Sequence, residues 1–437
     1  MSKTFRKKSI LLVNPYIEDF SAYDHFSKPL GIIWLASYLK EHFTVYFINV
    51  LNRLHSSVKK VKFKEDGRGD FPKQIIKTPE CLSDIPLYYK RYGIAEEAFR
   101  KELLGLPEKP DYVFITTGMT YWYTGLSYTI KLIREVYPES KIFVGGIYAS
   151  LLPSHAERVS GADVVVPYQN IGKVIGFLEK YFSLRFSKEV KMPSYDILGE
   201  YYYLPLMTST GCIYKCSYCA SSILNSFEQF NPENVFQWIL VMNQDYGVKK
   251  IVFYDDALLY KSETHIDVIL QKIIESSINV QFYTPNGLHI RFLSERTAQL
   301  MRKAGFVDIR LSLESSEERF QLESSGKATN IEFNRAIENL YRAGFERKNI
   351  RVYTLLNVPG QRESSIEKTM EYIYKSGAIP MLAYYSPIPG TLDFEKSRVI
   401  TDVDEPLFQN NTVYLYRSGF NLEYLTYLKK KELQYRT

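Results

Sequence analysis

Three of the chain's four cysteines fall within eight positions, in the stretch GCIYKCSYCA at 211–220. Their spacing is Cys212-x3-Cys216-x2-Cys219, and Cys81 stands far upstream with no other cysteine or histidine near it in sequence. Thiols this close can cross-link, bind a metal, shuttle electrons or hold an iron–sulfur cluster. Disulfide frameworks belong to oxidising compartments. Four cysteines in 437 residues, behind a start that does not read as an export signal, point to the reducing cytoplasm. A structural zinc takes four ligands, usually as two pairs, and the nearest downstream histidine is His265. A Cys216/Cys219 redox pair leaves Cys212 idle. A [4Fe–4S] cluster ordinarily takes four cysteines. Held by three, it keeps one open iron for a chelating substrate, as a catalytic zinc keeps one open position.

The elements around the cysteines set where such a site would stand. Residues 8–182 alternate apolar runs with helical patterns: KSILLVNPY, TVYFINVL, DYVFITTG (111–118), KIFVGG (141–146) and DVVVPY (163–168). Strands apolar on both faces and separated by helices imply a doubly wound parallel sheet, with ligands at its carboxyl edge. A second series follows: YYLPLMTST (202–210), KKIVFYDDALL (249–259), NVQFYTPN (279–286), DIRLSLES (308–315), NIRVYTLLNVPG (349–360) and IPMLAYYSPIPG (379–390). Six strand–helix units suggest a barrel two short of the usual eight, with its active site at the carboxyl ends of the strands. The cysteines directly follow the first of these strands. The fold class expected is therefore α/β, with the domain boundaries 1–185, a linker at 186–201, a partial barrel at 202–395 and a polar helical extension at 396–437. Within the first domain, 52–110 is too long for a connection and reads as an ordered insertion.

Composition excludes several classes. No run of about 18 apolar residues exists to span a membrane. The basic-then-apolar start MSKTFRKKSILLVNPY ends at Asn14-Pro15 and reads as a first buried strand rather than a signal peptide. The net charge of +6 is dispersed, apart from Lys59, Lys60, Lys62 and Lys64 and the run Lys429–Lys431. Those runs read as solvated surface. No basic groove interleaved with aromatics appears, so nucleic acid is not an expected partner.

C-x3-C-x2-C after a first barrel strand, with Tyr218 just before the last cysteine, resembles the radical SAM superfamily. The resemblance implies a [4Fe–4S] cluster on Cys212, Cys216 and Cys219, with S-adenosylmethionine on the open iron. It implies an electron donor such as flavodoxin or ferredoxin. It also implies a 5′-deoxyadenosyl radical that abstracts hydrogen from an unactivated carbon of a small-molecule or lipid-like substrate. Tyr218, Asp255, Asp256, Asn286, Ser312 and Glu314 are the expected S-adenosylmethionine contacts. Asp255-Asp256 stands where the family often has Gly-Gly-Glu around the methionine amine. Ser312 and Glu314 share one strand face, suited to the ribose and the methionine head. Asn286 is polar at the mouth, and Val358-Pro359-Gly360 could pack on adenine.

The front domain extends the resemblance to the cobalamin-binding class, through PLGIIWLASYLKE, TTGMTY, GGIYASLLP and GADVVVPYQN. The first half is then a Rossmann-like, cobalamin-binding-type domain and the second a partial (β/α)6 radical SAM barrel. Asn14, Thr116, Thr117, Gly145 and Gly146 are the implied cobalamin contacts, the glycines allowing close backbone approach. Two features depart from the class. The spacing of Asp24, His25 and Gly31 does not make Asp-x-His-x-x-Gly, and Pro167, Tyr168, Gln169 and Asn170 replace a Gly-Glu-Gly-Glu turn. With cobalamin the expected outcome is methyl transfer. Without it, the expectation is oxidation, ring closure or rearrangement. A structural or electron-carrying iron–sulfur protein is the non-enzymatic alternative. A methylthiotransferase would need a second cysteine set in the front domain, where only Cys81 is available.

Overall fold

The computed structural model describes residues 6–59 and 61–436. Lys60 of the early lysine run and the first five residues of the basic start lie outside them. The chain divides into two compact units, 1–200 with 402–409, and 201–401 with 410–437.

The front unit is built on five parallel strands: β1 (Ser9–Asn14), β2 (Thr44–Asn49), β3 (Tyr112–Thr117), β4 (Lys141–Gly145) and β5 (Val164–Val165). Their order is β5-β4-β3-β1-β2. Every residue of β1 is buried, because strands flank it and helices cover both its faces. Leu11, Val13, Val113, Ile115, Ile142 and Val144 share one core with the helix Tyr123–Val136. The strand order reverses between β1 and β3, and the carboxyl ends at that switch point are Asn14 and Thr116–Thr117. The insertion folds into a small antiparallel sheet that pairs Lys90–Tyr92 with Ile17–Asp19 and Lys73–Ile75. Asp24, whose spacing to His25 and Gly31 does not make the cobalt-ligating motif, is buried against Arg53 at 2.6 Å.

Two expected boundaries move. The stretch 186–201 was expected as a linker from its Lys, Pro and Gly content, yet 186–200 packs as part of the front unit. Phe186, Tyr195 and Leu198 are buried anchors in this polar background. Its backbone is also tied to the helix Leu30–Leu39, where Trp34 Nε1 donates to the Lys191 carbonyl at 2.7 Å. Nor is 396–437 a single extension. Residues 402–409 belong to the front unit, where Tyr123 donates to the Glu405 carboxylate at 3.0 Å and Thr120 to Gln409 Oε1 at 2.5 Å.

The second unit holds six parallel strands in sequence order: β6 (Leu204–Leu206), β7 (Lys250–Phe253), β8 (Gln281–Tyr283), β9 (Phe306–Glu314), β10 (Ile350–Leu356) and β11 (Ile379–Tyr384). Each pairs only with its neighbours in sequence among the described residues, which gives the open barrel expected. Phe253, Phe282 and Phe306 stack at 5.2–5.6 Å between centroids and bind β7, β8 and β9 together. The helix Leu422–Gln434 covers the far end, where Leu425 and Leu428 join Leu356, Ile366 and Met370 in one cluster.

Gly146 illustrates how tightly the front sheet closes. Its φ is +86°, and a Cβ there would lie 2.4 Å from Thr116 Oγ1 and 2.9 Å from the Thr117 carbonyl. Gly146→Ala is therefore expected to destabilise the chain by about 2–3 kcal/mol, from left-handed strain together with overpacking. Urea unfolding of the two proteins side by side measures it.

Candidate active site

The cysteine loop hangs from β6 and is clamped at three places. Gly211 opens it at φ +65°, where a Cβ would meet the Asn225 and Ser226 backbone at 2.5–2.6 Å. Only glycine fits that approach without displacing the chain. In the middle, Ser217 donates its backbone N–H to the Ser324 carbonyl at 2.7 Å and its hydroxyl to Asp393 at 2.6 Å. At the root, Asp255 at the end of β7 accepts from the Thr208 N–H, the Thr208 hydroxyl and the Ser209 hydroxyl at 2.7–2.9 Å.

Those bonds revise the expectation for Asp255. Its buried carboxylate is taken up by the strand leading into the loop, so it positions the loop rather than facing a ligand. Asp256 is the acid turned toward the cysteines. It acts electrostatically on Cys212 and bonds to Ser221. Burial raises both carboxyls to about 6. A carboxyl raised from 3.8 contributes stability that is complete below pH 3.8 and lost as pH rises through about 6. Asp256→Asn removes that loss. The metal-free variant is expected to match the wild type near pH 4 and to exceed it by about 2 kcal/mol at pH 7. Denaturant midpoints across that range test the sign.

All three thiols are free and half-buried. Cys212 accepts from the Tyr214 N–H at 3.4 Å, and His289 Nε2 lies 3.8 Å from its sulfur. Burial and the nearby Lys327 hold His289 down at about 3, so its ring is neutral. Cys219 bonds to the Ser221 hydroxyl at 3.3 Å. Burial pushes the Cys216 thiol up to about 11, with the Lys327 ammonium pulling the other way. Tyr218 lies beside the Cys216 thiol, its hydroxyl buried without a hydrogen-bond partner, and packs against Val358 and Tyr385.

Lys327 is the residue that sequence reasoning missed. It sits in the Ser-Ser-Gly-Lys turn after β9, which looks like solvated loop. In the structure its side chain is 9% exposed and pairs with Glu314 at 2.7 Å. It also interacts electrostatically with Cys216 and Cys219. Glu314 reaches it from a bulge in β9, at φ +64°. Ser312 is buried two residues earlier on the same face, against Gly287. Asn286 is exposed and donates to the Tyr254 carbonyl at 2.7 Å, so it closes the neighbouring strand end. The structure thus gathers Tyr218, Asp256 and Glu314 around the cysteines, sets Ser312 deeper and leaves Asn286 at the rim.

This donor set suits an iron–sulfur cluster better than a single ion. Among the described residues no three His, Cys, Asp or Glu side chains converge as ligands of one metal ion. A tetrahedral zinc, with Zn–S near 2.3 Å, would draw its thiolates to about 3.8 Å from one another. A four-iron cube spreads its ligands over a wider span. Three thiolates on such a cube would carry net negative charge, and the buried Lys327 ammonium, itself paired with Glu314, acts on Cys216 and Cys219.

In the front unit the implied cobalamin contacts divide. Asn14 spends its amide on Asn49 Oδ1 at 2.8 Å. Thr116 and Thr117 press against Gly146, whose need for glycine is therefore internal to the fold. A Cβ on Gly145 would meet nothing nearer than Val166 at 3.9 Å, so a side chain fits there without displacing its neighbours. The altered turn after β5 starts a helix, with Asn170 capping the Lys173 N–H at 3.2 Å.

Residues 206–373 match the model of the radical SAM superfamily. Over 217 residues the chain is 25% identical to an uncharacterized methyltransferase, PH0819, of Pyrococcus horikoshii, covering 46% of this chain and 45% of that protein. The chain thus spans about half the length of this curated relative. In fold it resembles the radical S-adenosylmethionine methyltransferase TsrM of Kitasatospora setae, solved with cobalamin and a [4Fe–4S] cluster. The TM-score is 0.65 at 13% identity, over 90% of this chain and 78% of that one. It also resembles the cobalamin-dependent S-adenosylmethionine radical enzyme OxsB, with a TM-score of 0.57 at 15% identity, over 92% of this chain and 56% of that one.

Proposed function

We propose, from the premise that residues 206–373 are a radical SAM domain, that the chain is a radical SAM enzyme acting on an unactivated carbon, with cobalamin-dependent methyl transfer as its outcome. The observation that carries the reading is the group of three free thiols on one clamped loop after β6, with a buried ammonium beside them. Cys212, Cys216 and Cys219 would hold the cluster. When bound, a [4Fe–4S] cluster supplies the electron that cleaves S-adenosylmethionine to a 5′-deoxyadenosyl radical.

The chain's own residues then have distinct tasks. Asp255 and Asp393 hold the loop in place from either side. Asp256 and Glu314 offer carboxylate oxygens to an ammonium such as that of the methionyl group, a charge-assisted contact. Ser312 offers a hydroxyl on the same strand face. Tyr218, Val358 and Tyr385 form an apolar wall that excludes water from the loop. The methyl-transfer outcome is supported by a fold shared along nine-tenths of the chain with a radical S-adenosylmethionine methyltransferase solved with cobalamin and with a cobalamin-dependent S-adenosylmethionine radical enzyme.

Anaerobic reconstitution with iron, sulfide and hydroxocobalamin tests the proposal. Broad absorption near about 400 nm and a corrinoid spectrum that survives gel filtration are expected. Absorption without retained corrinoid would replace methyl transfer by a radical oxidation or rearrangement. A colourless protein with stoichiometric zinc would overturn the radical reading. Among the described residues no helix is long and apolar enough to cross a membrane.

A further inference from the structure

We infer that the barrel lumen carries a carboxylate-binding site on Arg310 and that its ligand is a carboxylate of the substrate; this rests on the radical SAM reading of the barrel. Asp308, Arg310 and Ser312 alternate along β9 and so share one face, and Glu314 follows across the bulge. The opposite face, Ile309, Leu311 and Leu313, is fully apolar and buried. Helices cover the outside of such a barrel, so the polar face looks into the lumen.

The charges on that face do not cancel. Arg310, with a side chain 3% exposed, donates Nε to Asp308 at 2.9 Å and Nη1 to the Tyr353 hydroxyl at 2.9 Å. Arg351 of β10 pairs with the other oxygen of the same Asp308. The Tyr353 hydroxyl in turn donates to the Pro285 carbonyl at 2.6 Å. The pair Glu314–Lys327 is internally balanced. One aspartate therefore serves two guanidiniums, and one positive charge is left over.

The geometry says where that charge is available. Arg310 Nη2 is buried without a hydrogen-bond partner. An unpaired guanidinium N–H in a low-dielectric interior is costly, and a bound anion relieves both the charge and the bond. A single surplus charge matches a carboxylate better than a phosphate, which carries nearly two. Arg351, on the neighbouring strand, is 30% exposed, so solvent reaches the edge of this group. Arg310 lies two residues below Ser312, about 6.6 Å along the strand, deeper than the residues assigned to S-adenosylmethionine.

The probe is acetate, against chloride at matched ionic strength, on the full-length metal-free chain. Acetate is expected to slow amide exchange in the segments 306–314 and 350–356, and Arg310→Gln to weaken its binding by about tenfold or more. Should that variant fold poorly, exchange in the wild type decides alone: no acetate-specific slowing in those strands overturns the site. S-adenosylmethionine binding to reconstituted protein identifies the source of the carboxylate. Equal affinity in wild type and Arg310→Gln supports the substrate; a tenfold loss assigns the site to the methionyl carboxylate and overturns the substrate assignment. Failure to form a cluster would remove the radical reading while leaving the acetate result standing, so the two failures are distinguishable.

Discussion

Cys216→Ala is expected to abolish the iron–sulfur absorption of the reconstituted protein, lowering iron from about four per chain to below one, and to reduce 5′-deoxyadenosine formation to background. Cys216 is ringed by other groups: Lys327, Glu314, Cys219 and Tyr218 all act on it. In the metal-free chain burial holds it protonated, up at about 11. Loading metal must displace that proton, so cluster assembly is expected to speed up as the pH of reconstitution rises. The two half-buried thiols that remain do not retain a cube. Cys81→Ala is the control. Its exposed thiol lies near Glu405 in the front unit, so iron content and absorption should remain those of the wild type. Full absorption in Cys216→Ala would place the ligands elsewhere.

Lys327→Met carries the largest expected loss of stability, about 3–5 kcal/mol. The substitution keeps the length and apolar stem of the side chain and removes only the ammonium. Glu314 is then a buried carboxylate without its cation, on a residue already held in the left-handed region at a bulge. Glu314→Gln leaves the converse, a buried ammonium with a weaker acceptor. The double variant E314Q/K327M has neither charge to bury and should recover most of the loss, because removing a buried pair together is far cheaper than breaking it. Urea unfolding of the four metal-free proteins closes the cycle. Additive losses would mean that the two side chains do not depend on each other.

The strands were legible because a parallel sheet buried on both faces leaves long apolar runs, as SILLVN and IVF show. The cysteine loop was legible because its spacing survives in one dimension. What holds the loop was not. Ser217 and Asp393 are 176 residues apart, and nothing local marks either as the other's partner. Lys327 looks like any lysine in a polar turn until β9 bulges to place Glu314 beneath it. Asp255 and Asp256 are adjacent and chemically identical, so only the strand's alternation could assign one to the loop's root and the other to its cysteines. Phe186, Tyr195 and Leu198 are too few to make a pattern, and the packing of 186–200 was therefore hidden by its composition. In the tail, Gln409 is a buried polar group whose partner, Thr120, lies 289 positions earlier.

The return of 402–409 to the front unit has a consequence for how the protein is made. A ribosome delivers residues 201–401 before it delivers Val403, Glu405 and Gln409, which complete the packing around Tyr123 and Thr120. The first unit to emerge is thus finished only near the end of synthesis, and it waits with these positions uncovered while residues 201–401 are still being translated. Domains ordinarily fold in the order of their synthesis; here the amino-terminal half reaches its final form only when the carboxyl-terminal segment arrives. A fragment cut at residue 200 would be a nascent-chain intermediate rather than a domain.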